Sequence, residues 1–186
     1  RADIDLPQEQ GEELDSQMSA GIIVNVSEQG AIIVEQQVIS IDRLVRMVAA
    51  VRRENGRIDA LINNAGIMAC PETRIGRDWE AQFAVNHIGH FVLTKELTPY
   101  LLNAESARVV CLSSLAHRRS PIRWDDIHFR QGGYEKWEAY GQSKTANALF
   151  ALELNRRLGN QGVKAFSVHP GGIVTPLQRH LKTEEM

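Results

Sequence analysis

The sequence predicts a doubly wound α/β fold, and three observations carry that prediction. From Ser40 onward one unit repeats three times: an amphipathic helix, a short β-branched strand, then a small polar or glycine-rich turn. The strands are nearly continuous apolar runs, as strands buried on both faces are. The segments between them are long enough to form helical crossovers, which join parallel neighbours and not hairpins.

In the first unit, Ile41, Leu44, Val45, Val48 and Val51 fall at helical spacing behind Ser40, an N-cap. Asn55-Gly56 stops that helix, and residues 58–62 read as a buried strand ending in Asn63-Asn64-Ala65-Gly66. The second unit runs as a long helix from Asp78 and Trp79 through Phe83, Ile88 and Leu97 to Leu102, with Pro99 near its end. Residues 108–112 form its strand, ending in Ser113-Ser114. The third helix starts near Tyr140 and stops at Gly159. Its strand, 163–168, ends in His169-Pro170-Gly171-Gly172. Before Ser40 the pattern is weaker. Residues 1–5 suit the end of a strand, 7–18 a polar helix, and 22–26 and 30–34 strands.

This layout also locates a site. Ligands of open parallel sheets bind beyond the carboxyl ends of the strands. All three strands end there in amides, hydroxyls, or glycines that allow close backbone approach.

Composition narrows the class. Across 186 residues, 43% are hydrophobic and 24% charged, as in one soluble domain. A net charge of −2 gives no electrostatic reason to expect a nucleic-acid partner. Cys70 and Cys111 form neither a disulfide framework nor a metal-ligand spacing, and read as reduced thiols. No apolar run approaches the roughly 18 residues of a membrane span, and no leader-like segment opens the chain. The expectation is a cytoplasmic protein without a resident metal.

Tyr140 and Lys144, four apart on a helix, share one face. A phenol titrates near a pKa of about 10, and an adjacent ammonium favours its ionised form. Such tuning serves proton transfer to a carbonyl oxygen. Ser114, at the end of the neighbouring strand, can hydrogen-bond that oxygen or simply cap a turn, whereas Ser113 reads as structural. Asn86 sits mid-helix, where asparagine is poorly suited, between Val85 and Ile88 that suggest a buried face. Asn63–Gly66 and Pro170–Gly172 read either as plain turns or as backbone surfaces against a ligand.

The segments NNAG at 63–66, VNHIGHF at 85–91, VVCLSSLAH at 109–117, YGQSK at 140–144 and HPGGIVTPL at 169–177 resemble the short-chain dehydrogenase/reductase family. More narrowly they are similar to its retinol-dehydrogenase-like branch, which includes relatives of the WW-domain oxidoreductase and of protochlorophyllide reductase. HIGHF, SSLAH and the WDDIHF at 124–129 carry the narrower likeness. The resemblance spans roughly residues 30–186. It implies a Rossmann-type domain over 1–186 that interconverts an alcohol and a carbonyl with NAD or NADP.

It further implies that Tyr140 is the general acid/base, that Lys144 holds the nicotinamide ribose and lowers the tyrosine pKa, and that Ser114 orients the substrate oxygen. Asn86 supports the helix and a water relay to Lys144. Asn63, Ala65 and Gly66 contact the adenosine side. Pro170 and Gly171, with Ile173 and Thr175, cradle the nicotinamide and phosphates. An apolar substrate and pairing of two copies through the helices carrying Asn86 and Tyr140 are implied as well.

The pattern breaks in places. The family's T-G-x-x-x-G-x-G turn, its pyrophosphate site, is absent, and residues 21–30 bear only a faint likeness to it. In the better register Asp3 falls where an acid binds the ribose 2′-hydroxyl, which favours NAD. Gln37 replaces the usual aspartate beside the adenine. Against the family pattern the chain reads as truncated at both ends. An intact Asn86, Ser114, Tyr140 and Lys144 set favours an enzyme, and the missing glycine turn favours a non-catalytic binding or dimerisation module. A hydrolase using Ser114 with His117 or His169 lacks the nucleophile-elbow context.

Overall fold

The computed structural model describes residues 24–26, 32–34, 37–39, 56–172, 176–178 and 180–181. The helices expected at 7–18 and 41–51, and Asp3, Ile173 and Thr175, lie outside them.

A parallel sheet of β4 (Ala60–Asn63), β7 (Ala107–Leu112) and β8 (Val163–Val168) holds the architecture together, in the order β4-β7-β8. All three expected strands are present, each within two residues of its predicted bounds. Helices α2 (Gly89–Leu101) and α3 (Lys136–Leu158) pack onto one face of this sheet. Alternate strand residues Ala107, Val109, Cys111, Val163 and Ala165 meet Leu101, Ala151 and Leu154 there as a buried core. On the opposite face Ile62, Val110 and Phe166 stand in register across the three strands. Ile62 is 63% and Phe166 47% exposed, so the described residues cover one face of the two that the sequence leads us to expect.

The amino-terminal strands differ from expectation. β1 (Val24–Val26), β2 (Ile32–Val34) and β3 (Gln37–Ile39) form a separate antiparallel sheet, with Val34 opposite Gln37. The reason is reach: a two-residue connection closes a hairpin, whereas a parallel crossover needs a dozen residues or more. Gln37 therefore lies in a hairpin strand, and not at the end of a strand of the parallel sheet.

The second helix also starts later than its periodicity suggests. Arg74–Ile75 (β5) and Trp79–Glu80 (β6) form a small antiparallel hairpin, turning through Gly76 and Asp78 at φ 56° and 61°. The helix begins only at α1 (Ala81–Phe83), where the Glu80 carboxylate caps it by accepting from the backbone N–H groups of Gln82 and Phe83. A π-helical turn, Ala84–Ile88, then leads into α2. Helix α3 starts a turn earlier than expected, capped by Glu135, which puts Tyr140 in its second turn.

Buried carboxamides fasten loops to these helices, since each amide both donates and accepts. Gln142 accepts from Arg123 N at 2.8 Å and donates to Ile127 O at 2.9 Å, fixing the long loop before α3. Gln82 accepts from Ala69 N and donates to the Tyr134 hydroxyl and Lys136 O. Asn155 bridges α3 to β8 by pairing with both backbone groups of Ala165.

One contact admits no side chain. A Cβ on Gly141 would stand 2.7 Å from the Ala116 carbonyl oxygen, because the 3-10 turn Leu115–Arg118 lies directly on α3. Gly141→Ala forces these backbones apart, and a loss of about 1–3 kcal/mol in stability is expected, read as a lower denaturant midpoint in equilibrium unfolding.

Candidate functional site

Tyr140, Lys144 and Ser114 meet at the carboxyl end of β7. Tyr140 and Lys144 project from one face of α3, each only 4% exposed, and the Lys144 Nζ stands 5.4 Å from the Tyr140 ring centre. Ser114 follows the strand directly. Its hydroxyl caps the 3-10 turn by accepting from Ala116 N at 3.2 Å, and it is close enough to the phenol to favour ionisation. Ser114 is thus a turn cap whose hydroxyl also lies beside the Tyr140 phenol. Ser113 is structural, donating its hydroxyl to Lys144 O at 2.9 Å.

The electrostatics differ from the expectation that Lys144 lowers the phenol. Burial is the main influence on Tyr140 and pushes its pKa up, with Ser114 opposing. Burial acts on Lys144 too, pulling it down to about 8. Its Nζ donates to the Leu112 carbonyl at 3.0 Å, an oxygen that Asn147 Nδ2 also reaches at 3.0 Å. The lysine is thus aimed at the strand end, beside the ring and not at the hydroxyl.

Asn86 is fully buried in the π-helical turn. Its Oδ1 accepts from Ile67 N at 2.8 Å, and its Nδ2 donates to Ile67 O and to Ser143 Oγ, each at 2.9 Å. It joins the loop after β4 to α3, one residue from Lys144. Gly66 lies against it, where a Cβ would come within 3.2 Å of Oδ1.

Asn63 turns inward. Its Nδ2 donates to Thr94 Oγ1 at 3.0 Å, so its side chain ties β4 to α2, while Oδ1 is buried without a hydrogen bond. Ala65 and Gly66 are half-buried, and Pro170 and Gly171 are exposed beyond β8. His117 Nδ1 lies 2.7 Å from the Ser114 backbone oxygen and does not form a nucleophile–base pair with its hydroxyl.

Two residues escaped the sequence reading. His90, only 6% exposed, has both ring nitrogens buried without a hydrogen bond of normal geometry. Burial chiefly, with the nearby charges of Lys144 and His87, pushes its pKa down to about 4. Trp137 meets Tyr140 edge-on, with centroids 6.3 Å apart. Same-face spacing from Asn86 and Tyr140 was the available signal for both.

The residues present fit the nicotinamide end of a dinucleotide. Lys144 uses one of three donors on Leu112, leaving two for a sugar diol. Gly171, at φ 91°, has no atom within 4 Å of where a Cβ would stand, so a flat ring can approach its backbone. Among the described residues no glycine-rich turn leads from a strand into a helix to hold a pyrophosphate.

A family model described as short chain dehydrogenase matches residues 8–126. This chain belongs to the short-chain dehydrogenase/reductase family. Human retinol dehydrogenase 13 is 43% identical over 141 residues, covering 76% of this chain and 43% of that enzyme. A solved structure of a Mycobacterium paratuberculosis protein matches with a TM-score of 0.58 and 40% identity, over 73% of this chain and 50% of that one. The RhlG/NADP active-site complex of Pseudomonas aeruginosa matches at 0.54 and 26%, over 73% and 50% of the two chains. These likenesses place the chain with the retinol-dehydrogenase-like branch of the family. The chain spans 39% to 57% of the curated relatives it matches. Among the described residues no helix is long and apolar enough to cross a membrane, and no His, Cys, Asp and Glu cluster could hold a metal. Cys70 and Cys111 are buried, and neither forms a disulfide among the described residues.

Burial of Lys144 has a measurable consequence. With its folded pKa near 8 and its ordinary value at 10.5, the unfolded chain binds the extra proton between those limits. Stability therefore rises with pH across that window, and below it the buried charge is a constant cost. Lys144→Met is expected to melt higher than the parent at neutral pH and to lose the rise between pH 8 and 10.5, as Asn147 still satisfies Leu112 O. Thermal unfolding across that range checks both.

Proposed function

We propose that this chain interconverts an alcohol and a carbonyl on an apolar substrate using NAD or NADP, with Tyr140 as the general acid/base. The observation that carries the reading is the meeting of Ser114, Tyr140 and Lys144 at one strand end, with a hydroxyl beside the phenol and a buried ammonium beside its ring. The nicotinamide, when bound, supplies or accepts the hydride.

The protein's own part is positional and protonic. In reduction the Tyr140 hydroxyl gives its proton to the carbonyl oxygen as negative charge develops there; in oxidation the phenolate takes it back. Ser114 donates a hydrogen bond to the same oxygen and holds it within reach of the phenol. Lys144 binds the nicotinamide ribose through the donors that Leu112 does not use. Asn86 acts through others: by anchoring Ile67 and Ser143 it fixes the loop beside the cofactor and the helix turn that carries Lys144. Ala65, Gly66, Pro170, Gly171, Ile173 and Thr175 offer backbone or hydroxyl contacts to the dinucleotide, and Asp3 selects NAD.

Titration with NADH and then NADPH, followed by nicotinamide fluorescence and melting temperature, tests the cofactor assignment. At about 100 times its dissociation constant a bound cofactor adds about 2.7 kcal/mol of stability. Failure of a folded chain to bind either would remove the proposal. Tyr140→Phe is expected to lower turnover by at least about a hundredfold with cofactor affinity nearly unchanged; steady-state rates near those of the parent would sink the acid/base role.

A further inference from the structure

Along α3, Trp137 lies one turn before Tyr140 and Lys144 one turn after it, all on one face. Lys144 is directed to the end of β7, so the Trp137 side of the phenol is the side left for substrate. Two features crowd that side. Leu115, next to Ser114, is 53% exposed and offers an apolar surface. The Arg119 guanidinium lies over the Trp137 ring, 5.6 Å from its centre, with the Lys136 ammonium 5.9 Å away.

Arg57, Arg74, Arg123, Arg130, Arg156 and Arg157 each stand within ion-pair distance of a carboxylate. Among the described residues Arg119 shares the lack of a carboxylate partner with Arg77, Arg108 and Arg118, and of these four it is the one over the aromatic ring next to Tyr140. Of the acidic residues that flank Trp137 on α3, Glu135 caps the helix and Glu138 faces Arg123 at 3.8 Å, while Asp126 accepts from the backbone N–H groups of Arg130 and Gln131. Nor is Arg119 on a loose loop. The turn bearing it is seated on Gly141, and the Thr145 hydroxyl contacts the carbonyls of His117 and Ser120 on either side. A guanidinium beside an aromatic ring, with no carboxylate partner among the described residues, keeps its planar fork of donors available to a two-oxygen anion.

We propose that Arg119 binds a carboxylate carried by the substrate itself, so that the substrate is an amphiphile: an apolar body against Leu115 and Trp137, an alcohol or carbonyl at Tyr140, and a carboxylate at Arg119. This rests on the proposed oxidoreductase reading of Tyr140 and deepens it by naming the substrate class.

The test compares an ω-hydroxy fatty acid with the diol of equal chain length, by calorimetric binding and by turnover with NAD. The parent chain is expected to favour the carboxylate by about fivefold at low salt, the upper range for an exposed ion pair. The preference is expected to vanish near 1 M salt, where the screening length is roughly 3 Å. Arg119→Gln is expected to bring the ratio close to one, and Arg119→Lys to keep part of it; melting temperatures confirm that both variants fold. Equal binding of the two compounds by the parent, or a preference that survives Arg119→Gln, overturns the inference. So does Arg119-dependent binding to anionic phosphatidylserine vesicles without discrimination between the two compounds. A chain that binds the carboxylate preferentially but turns over neither compound would retain the inference and lose the oxidoreductase reading. One that turns over both equally would do the reverse.

Discussion

Asn86 makes three hydrogen bonds, and through them the loop after β4, the π-helical turn and the middle of α3 become one rigid unit. With both backbone groups of Ile67 occupied, the loop beyond Asn63 cannot shift without breaking two bonds at once. The third bond, to Ser143, reaches the turn of α3 that carries Tyr140 and Lys144. Asn86 is itself fully buried, where an unpaired amide costs far more than a paired one contributes. Neither Tyr140 nor Lys144 touches Asn86, yet their helix is set against the loop through it.

Chemistry and stability pull against each other at Lys144. An ammonium only 4% exposed, with no carboxylate beside it among the described residues, loses hydration that one carbonyl does not restore. The helix tolerates it because the core beneath is well filled by Leu101, Val109, Ala151, Leu154 and Val163. The same burial acts on Tyr140, keeping the phenol protonated, the form that can donate to a carbonyl oxygen.

Much of this was legible in the residues. The three strand–helix units stood out because core-facing positions repeat at 3.6 and 2, and Tyr140, Lys144 and Ser114 lie where strand ends and helix faces put them. Periodicity says nothing, however, about where a helix stops being stable at its start. Asp78 and Trp79 fit the helical pattern, but Gly76 and the buried Glu80 favour a hairpin followed by a cap. Residues 30–34 looked like a strand and are one in part, but which sheet they join depends on the short link to Gln37, a matter of reach and not of hydrophobicity. For Asn63 the residues alone allow a plain turn or a ligand surface, and only the structure shows its side chain tied inward to Thr94 on α2, a contact 31 residues away that no local pattern signals. His90 was passed over because one histidine on an apolar face rarely stands out.

The π-helical turn at Ala84–Ile88 holds one residue more than an α-helical path would. That surplus sets the phase of everything after it. Each residue of an α-helix advances by about 100°, so the same residues wound as unbroken α-helix through this segment would rotate all of α2 about its axis. Thr94 would leave Asn63, His90 would turn away from the strand end, and the neighbouring Phe91 would swing to a new bearing. The winding of this segment therefore decides which residues of α2 meet the sheet, and Asn86 within it fixes that winding against both the loop and α3.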